Sequence, residues 1–204
     1  MPRARVFLPL VLPMLLLLAA GPARADEITD QLERSIKLYK EGNVSEALNE
    51  LEFASGLLRQ KKAESLAEIF PEAPSGWKAE KPETQAMGKA LFGGGISATR
   101  TYKQQPGKGR VTIEVMSDSP LLQGVAMMLT NPMLVQSAQG SKLIRIGDEK
   151  AILQTHGNDG AEVQMVVDGK ILVKVEARGL GEAADTAKDF LSKVDLKKLR
   201  QLNK

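Results

Sequence analysis

Met116, Met127, Met128 and Met133 fall within 18 residues of a chain that contains no cysteine. Thioether sulfur is a soft donor suited to Cu(I) in an oxidising compartment, so these four side chains form a candidate metal set. Methionine is also the usual filler of irregular cores and adaptable grooves, and that reading takes precedence here. Met127 and Met128 are neighbours on one helix, so they point about 100° apart. His156 is the only histidine. A histidine metal cluster is therefore out of reach, and a lone imidazole acting as a base would have to work beside Asp159. The turn Gly157-Asn158-Asp159-Gly160 makes a polar turn residue the simpler role for His156. Gly93-Gly94-Gly95 leads into a strand, whereas a phosphate loop leads into a helix and carries a lysine and a hydroxyl at fixed spacing. Asp118 and the Asn158-Asp159 loop offer oxygens without the alternating spacing of a calcium loop. The pairs Asp148-Glu149 and Glu182/Asp185 sit where turn chemistry or a helix dipole accounts for them.

The elements that must position these residues change period at Pro71-Glu72-Ala73-Pro74-Ser75-Gly76. Before it, Ile28, Leu32, Ile36 and Tyr39 recur at helical spacing. Gly42-Asn43 interrupts them, and Asn43 with Glu46 has the form of a capping box. Ala47, Leu48, Leu51, Ala54, Leu57 and Leu58 give a second stripe that runs on toward Phe70, with Arg59 to Lys62 as a solvated turn of the same helix. The prediction is an αα-hairpin.

After the break the period is that of strands. Ile96 to Tyr102 and Val111 to Val115 alternate on either side of Pro106-Gly107-Lys108-Gly109, which predicts a β-hairpin. Ser119-Pro120 opens a helix whose apolar face holds Leu121, Leu122, Val125, Met128 and Leu129, and Asn131-Pro132 closes it. Strands follow at 143–146, with a continuation at 151–155, then at 162–167 and 171–177, the last two joined by Asp168-Gly169. A helix from Gly181 to Val194 ends the domain, and Lys197, Lys198, Arg200 and Lys204 form a basic helix end. The fold class is α+β: an N-terminal helical hairpin, then an antiparallel sheet covered on one face by helices. The expected layout is a hairpin over 26–71, a linker over 72–76 and a sandwich domain over 77–204.

Tyr39-Lys40-Glu41-Gly42-Asn43-Val44-Ser45-Glu46-Ala47-Leu48 resembles the inter-helix turn of a tetratricopeptide repeat, with Ala47 as the small residue of the helix crossing and Leu51 and Ala54 toward the neighbours. The match spans residues 39–54 of one unit. No proline ends the second helix, and no second copy follows. A solitary repeat has no stacking neighbour to complete its core, so the hairpin must dock on the rest of the chain or on a twin chain. The Asp-Glu-Ile-Thr start, the hairpin, Gly76-Trp77 and the Gly93 to Ser97 strand also resemble a group of uncharacterised exported proteins of Gram-negative bacteria, a resemblance that implies no activity. The C-terminal layout is similar to the PsbP and Mog1 type of α+β sandwich, which implies partner binding more than catalysis.

Arg3 and Arg5, the apolar run Val6 to Ala20 and the triplet Ala23-Arg24-Ala25 have the order of a secretory signal, with cleavage after Ala25 and a periplasmic destination. The run is short of the roughly 20 residues of a membrane span and contains Pro9 and Pro13, so no transmembrane segment is expected in the mature chain. Asp26, where a lipoprotein would carry cysteine, excludes diacyl attachment. The formal charge of +3 disappears with Arg3, Arg5 and Arg24, leaving basic and acidic residues equal in number. Composition thus gives no reason to expect nucleic acid as a partner. The expectation is a non-catalytic periplasmic binding or adaptor protein without cofactors. It contacts an envelope protein or an apolar ligand through Leu121, Leu122, Val125, Met128 and Leu129, and its oligomeric state is open. Handling of Cu(I) by the four methionines is the alternative.

Overall fold

The computed structural model describes residues 26–87 and 95–202. The expected signal segment, Gly93 and Gly94 of the triglycine, and Lys204 of the basic tail lie outside the described residues.

Helix α1 (Glu27–Lys40) starts at Asp26, whose carboxylate accepts from the Ile28 amide at 3.2 Å. It stops at Gly42, which takes a left-handed φ of +85° that a side chain would resist. Helix α2 (Val44–Ala67) follows at once. The expected capping box does not form: the Asn43 side chain makes no cap bond, and the first turn closes through the Ala47 amide on the Asn43 carbonyl. Residues 59–62 are helical throughout, as the periodicity requires.

Eight strands form one antiparallel sheet: β1 (Trp77–Ala79), β2 (Glu83–Met87), β3 (Gly95–Gln104), β4 (Arg110–Ser117), β5 (Ser141–Ile146), β6 (Glu149–His156), β7 (Gly160–Val167) and β8 (Ile171–Arg178). Their order is β1-β3-β4-β8-β7-β6-β5, with β2 also on the outer edge of β3. Two consecutive meanders therefore meet along the β4–β8 pair, where Ile113 faces Val175 and Glu114 faces Lys174. The stretch 151–155, expected to continue 143–146, is a separate strand. Gly147, at φ +58°, turns the chain back so that Leu143 pairs with Ile152. Asp168 (φ +50°) and Gly169 (φ +67°) supply the two positive φ values of a tight hairpin turn between β7 and β8.

Strand alternation sends two sets of side chains to opposite faces. One face buries Tyr102, Val111, Ile113, Val115, Val163, Met165, Val173 and Val175 beneath Ala63 and Leu66 of α2, helix α5 (Ala183–Ser192) and helix α6 (Leu196–Gln201). Trp77 and Tyr102 each pack on Phe190 of α5, with ring centroids 5.0 Å apart. The opposite face is divided. At one end Met116, Ile152 and Leu172 lie under helix α3 (Leu121–Thr130) and helix α4 (Pro132–Ser137). Elsewhere the same face carries Thr99, Thr112, Glu114, Glu162, Gln164, Lys174 and Glu176, and no helix among the described residues covers it.

Candidate functional site

The expected contact helix is α3. Its outward side carries the polar Gln123 and Thr130 as well as Met127. Val125 and Leu129 are buried against Met116, Ile152 and Leu172, and Met128 packs on the same cluster. Leu122 is partly buried and Leu121 is exposed. The five expected groove residues are thus split, with most of them filling the joint between helix and sheet. Asn131-Pro132 ends α3 as expected, but Asn131 also starts α4, its side chain accepting from the Met133 amide at 3.2 Å. α4 adds Met133 and Leu134 to the outward surface. The result is an exposed strip of Leu121, Met127, Met133 and Leu134, within the 23 residues from Ser119 to Ser141 that contain no charge.

The methionine set is divided in the same way. Met116 and Met128 belong to the cluster under α3, whereas Met127 and Met133 are 63% and 78% exposed.

His156 ends β6 in register with Gly160 and lines an open cleft of about 310 Å³ with Asp159, Glu176 and Arg178. Arg178 Nε donates to Glu176 at 2.6 Å, and the Asp159 carbonyl accepts from the Leu180 amide at 3.2 Å, so the cleft is built from turn and ion-pair contacts. Asp118 (φ +57°) accepts from Lys62 Nζ at 3.1 Å and from the Ser117 hydroxyl at 3.2 Å. Among the described residues no three histidine or acidic side chains are placed to share a metal ion. Gly95 of the triglycine opens β3 as a strand residue, opposite Met87.

On the open sheet face Lys174 donates to its cross-strand partner Glu114 at 2.8 Å. Burial alone would lower the Lys174 pKa. The Glu114 hydrogen bond and the charges of Glu114, Glu162 and Glu176 outweigh it and raise the pKa, so the ammonium is held charged.

A second apolar surface lies on the hairpin. Leu32, Ser35, Ile36 and Tyr39 of α1 and Val44, Ala47, Leu48 and Leu51 of α2 line a groove of about 470 Å³. Its floor is closed by Ser35, whose hydroxyl donates to the Ala47 carbonyl at 2.7 Å. The sequence identifies both stripes as apolar but assigns them to docking. The available signal is their length, since α1 has only 14 residues and among the described residues no third helix follows directly on the pair. Among the described residues no helix is long and apolar enough to cross a membrane.

No protein-family model matches this chain, and searches of curated proteins and of solved structures also gave no match.

Proposed function

We propose that this chain is an exported, non-catalytic adaptor that holds a partner protein of the cell envelope against the outward surface of α3 and α4. The observation that carries the reading is the uncharged run Ser119 to Ser141, with Leu121, Met127, Met133 and Leu134 on its exposed side, in a chain that is 26% charged. Large apolar side chains left exposed together mark an interaction site. A partner presenting a complementary apolar face would remove that surface from water at about 25 cal/mol per Å². The periplasm is the proposed location, with Asp26 as the first residue of the mature protein.

Photo-crosslinking in living cells tests the reading. A photoreactive residue at Met127 or Met133 is expected to give one discrete adduct, while the same residue at Lys188, on the far side of the sheet, gives none. Failure to obtain an adduct at Met127 and Met133, or equal labelling at all three positions, overturns it. Mass spectrometry of the exported protein checks the location, since a chain that retains residues 1–25 contradicts export by cleavage.

A further inference from the structure

The face of α2 that rests on the sheet continues beyond the sheet. Leu48 precedes Leu66 by 18 residues, five full helical turns, so the two have the same bearing on the helix. Leu66 is 1% exposed under the sheet's cover, and Leu48 is 56% exposed. Val44 and Leu51 lie on the same stripe, and Ile36 and Tyr39 extend it across α1. Together these five exposed side chains form one contiguous apolar surface of the kind that marks an interaction site.

The charges beside this surface select the occupant. The first turn of α1 is acidic, with Glu27 and Asp30, and its last turn is basic, with Lys37 and Lys40. Such a helix is complementary to its own antiparallel copy. Glu33 and Lys40 stand three residues before and four after Ile36, on the same side of α1. Both are exposed, and neither has an ion-pair partner among the described residues. A two-fold axis beside Ile36 brings Glu33 of each copy opposite Lys40 of the other. It also stacks the two hairpins as an antiparallel four-helix bundle, the usual way for two such pairs to close a core.

We propose that the α1–α2 groove is filled by the same hairpin of a second copy of this chain, giving a two-fold four-helix bundle centred on Ile36 and flanked by two Glu33–Lys40 pairs. The inference is independent of the partner surface on α3 and α4, because it uses the other end of the molecule.

Light scattering and sedimentation of the purified exported protein at tens of micromolar test it. The expected mass is that of a dimer. Ile36→Glu is expected to yield monomer. Glu33→Lys and Lys40→Glu should each weaken the dimer about tenfold or more, because each converts two attractions into two repulsions, and the double exchange should restore it. Far-ultraviolet circular dichroism, which registers any loss of α1 and α2, confirms that the hairpin of each variant is folded. A monomeric wild-type protein overturns the proposal. So does a dimer that none of the three single variants weakens, or single-variant losses that the double exchange fails to repair. A monomer whose groove takes up an added amphipathic helical peptide would assign the groove to a different protein.

Discussion

The Ser35 hydroxyl of α1 donates a 2.7 Å hydrogen bond to the Ala47 carbonyl of α2. Ser35 is the only buried residue of α1, and Ala47 is 6% exposed. The crossing therefore depends on two small side chains. Ala47→Leu is expected to force the helices apart and cost about 1–3 kcal/mol of hairpin stability. Hydrogen exchange of the α1 amides should accelerate, while the fluorescence of Trp77, packed on Phe190 at the sheet edge, stays unchanged.

Tyr102 hydrogen-bonds to the Pro71 carbonyl at 2.7 Å, tying the end of the hairpin to β3. Burial pushes its hydroxyl pKa up to about 12, against the pull of Arg100, whose guanidinium lies 5.5 Å from the ring centre. Because the folded value exceeds the unfolded value of about 10, its contribution to stability is complete below about pH 10 and is lost as pH rises through about 12. Tyr102→Phe should lose about 1–2 kcal/mol at neutral pH through the unpaired carbonyl. Its stability should also vary less than the wild type's between pH 10 and 12. Urea titrations across that pH range check both expectations.

Gly140 precedes β5 at φ +76°, and a Cβ built there would stand 2.8 Å from the Thr155 carbonyl oxygen. That oxygen belongs to the backbone of β6 and cannot move aside. Gly140→Ala should therefore cost about 2 kcal/mol or more, combining strained φ with overlap. The denaturation midpoint measures it, with Gly169→Ala as a control that has positive φ but nothing within 4 Å of the added methyl.

Inward and outward residues of α3 should separate cleanly. Leu129→Ala opens a cavity beside Met116 and Leu172 and is expected to cost about 2–4 kcal/mol. Met127→Lys, on the exposed side, should change stability by less than about 0.5 kcal/mol yet weaken partner capture. Thermal denaturation and crosslinking, carried out on both variants, distinguish a packing residue from a contact residue.

Much of the fold can be read from local pattern. Gly42 marks the hairpin turn, Asp168-Gly169 marks the β7–β8 turn, and strict alternation over Ile96–Tyr102 and Val111–Val115 predicts the β3–β4 hairpin. Three features escape such reading for distinct reasons. α4 is hidden because Asn131 ends one helix and caps the next, so a stop signal conceals a start signal. β6 is hidden as a strand of its own because Gly147-Asp148, with glycine first, is a weaker hairpin signal than Asn-Gly or Asp-Gly and reads equally as a break within one strand. The charged sheet face is hidden because Glu114 and Lys174 lie 60 residues apart in sequence and meet only through the β4–β8 pairing. The apolar surfaces are a different case. Periodicity shows which side of α2 or α3 avoids water, but whether anything covers that side is decided by distant parts of the chain.

The β4–β8 seam also sets an order of events. β4 has β3 on one side, but its other neighbour is the last strand of the chain, ending at Arg178. During synthesis the middle of the sheet therefore stays open until β8 has emerged. β1 to β4 must meanwhile wait with a bare apolar edge, and pairings across this many residues form slowly. In that interval the unpaired edge is exposed to aggregation and to chaperones.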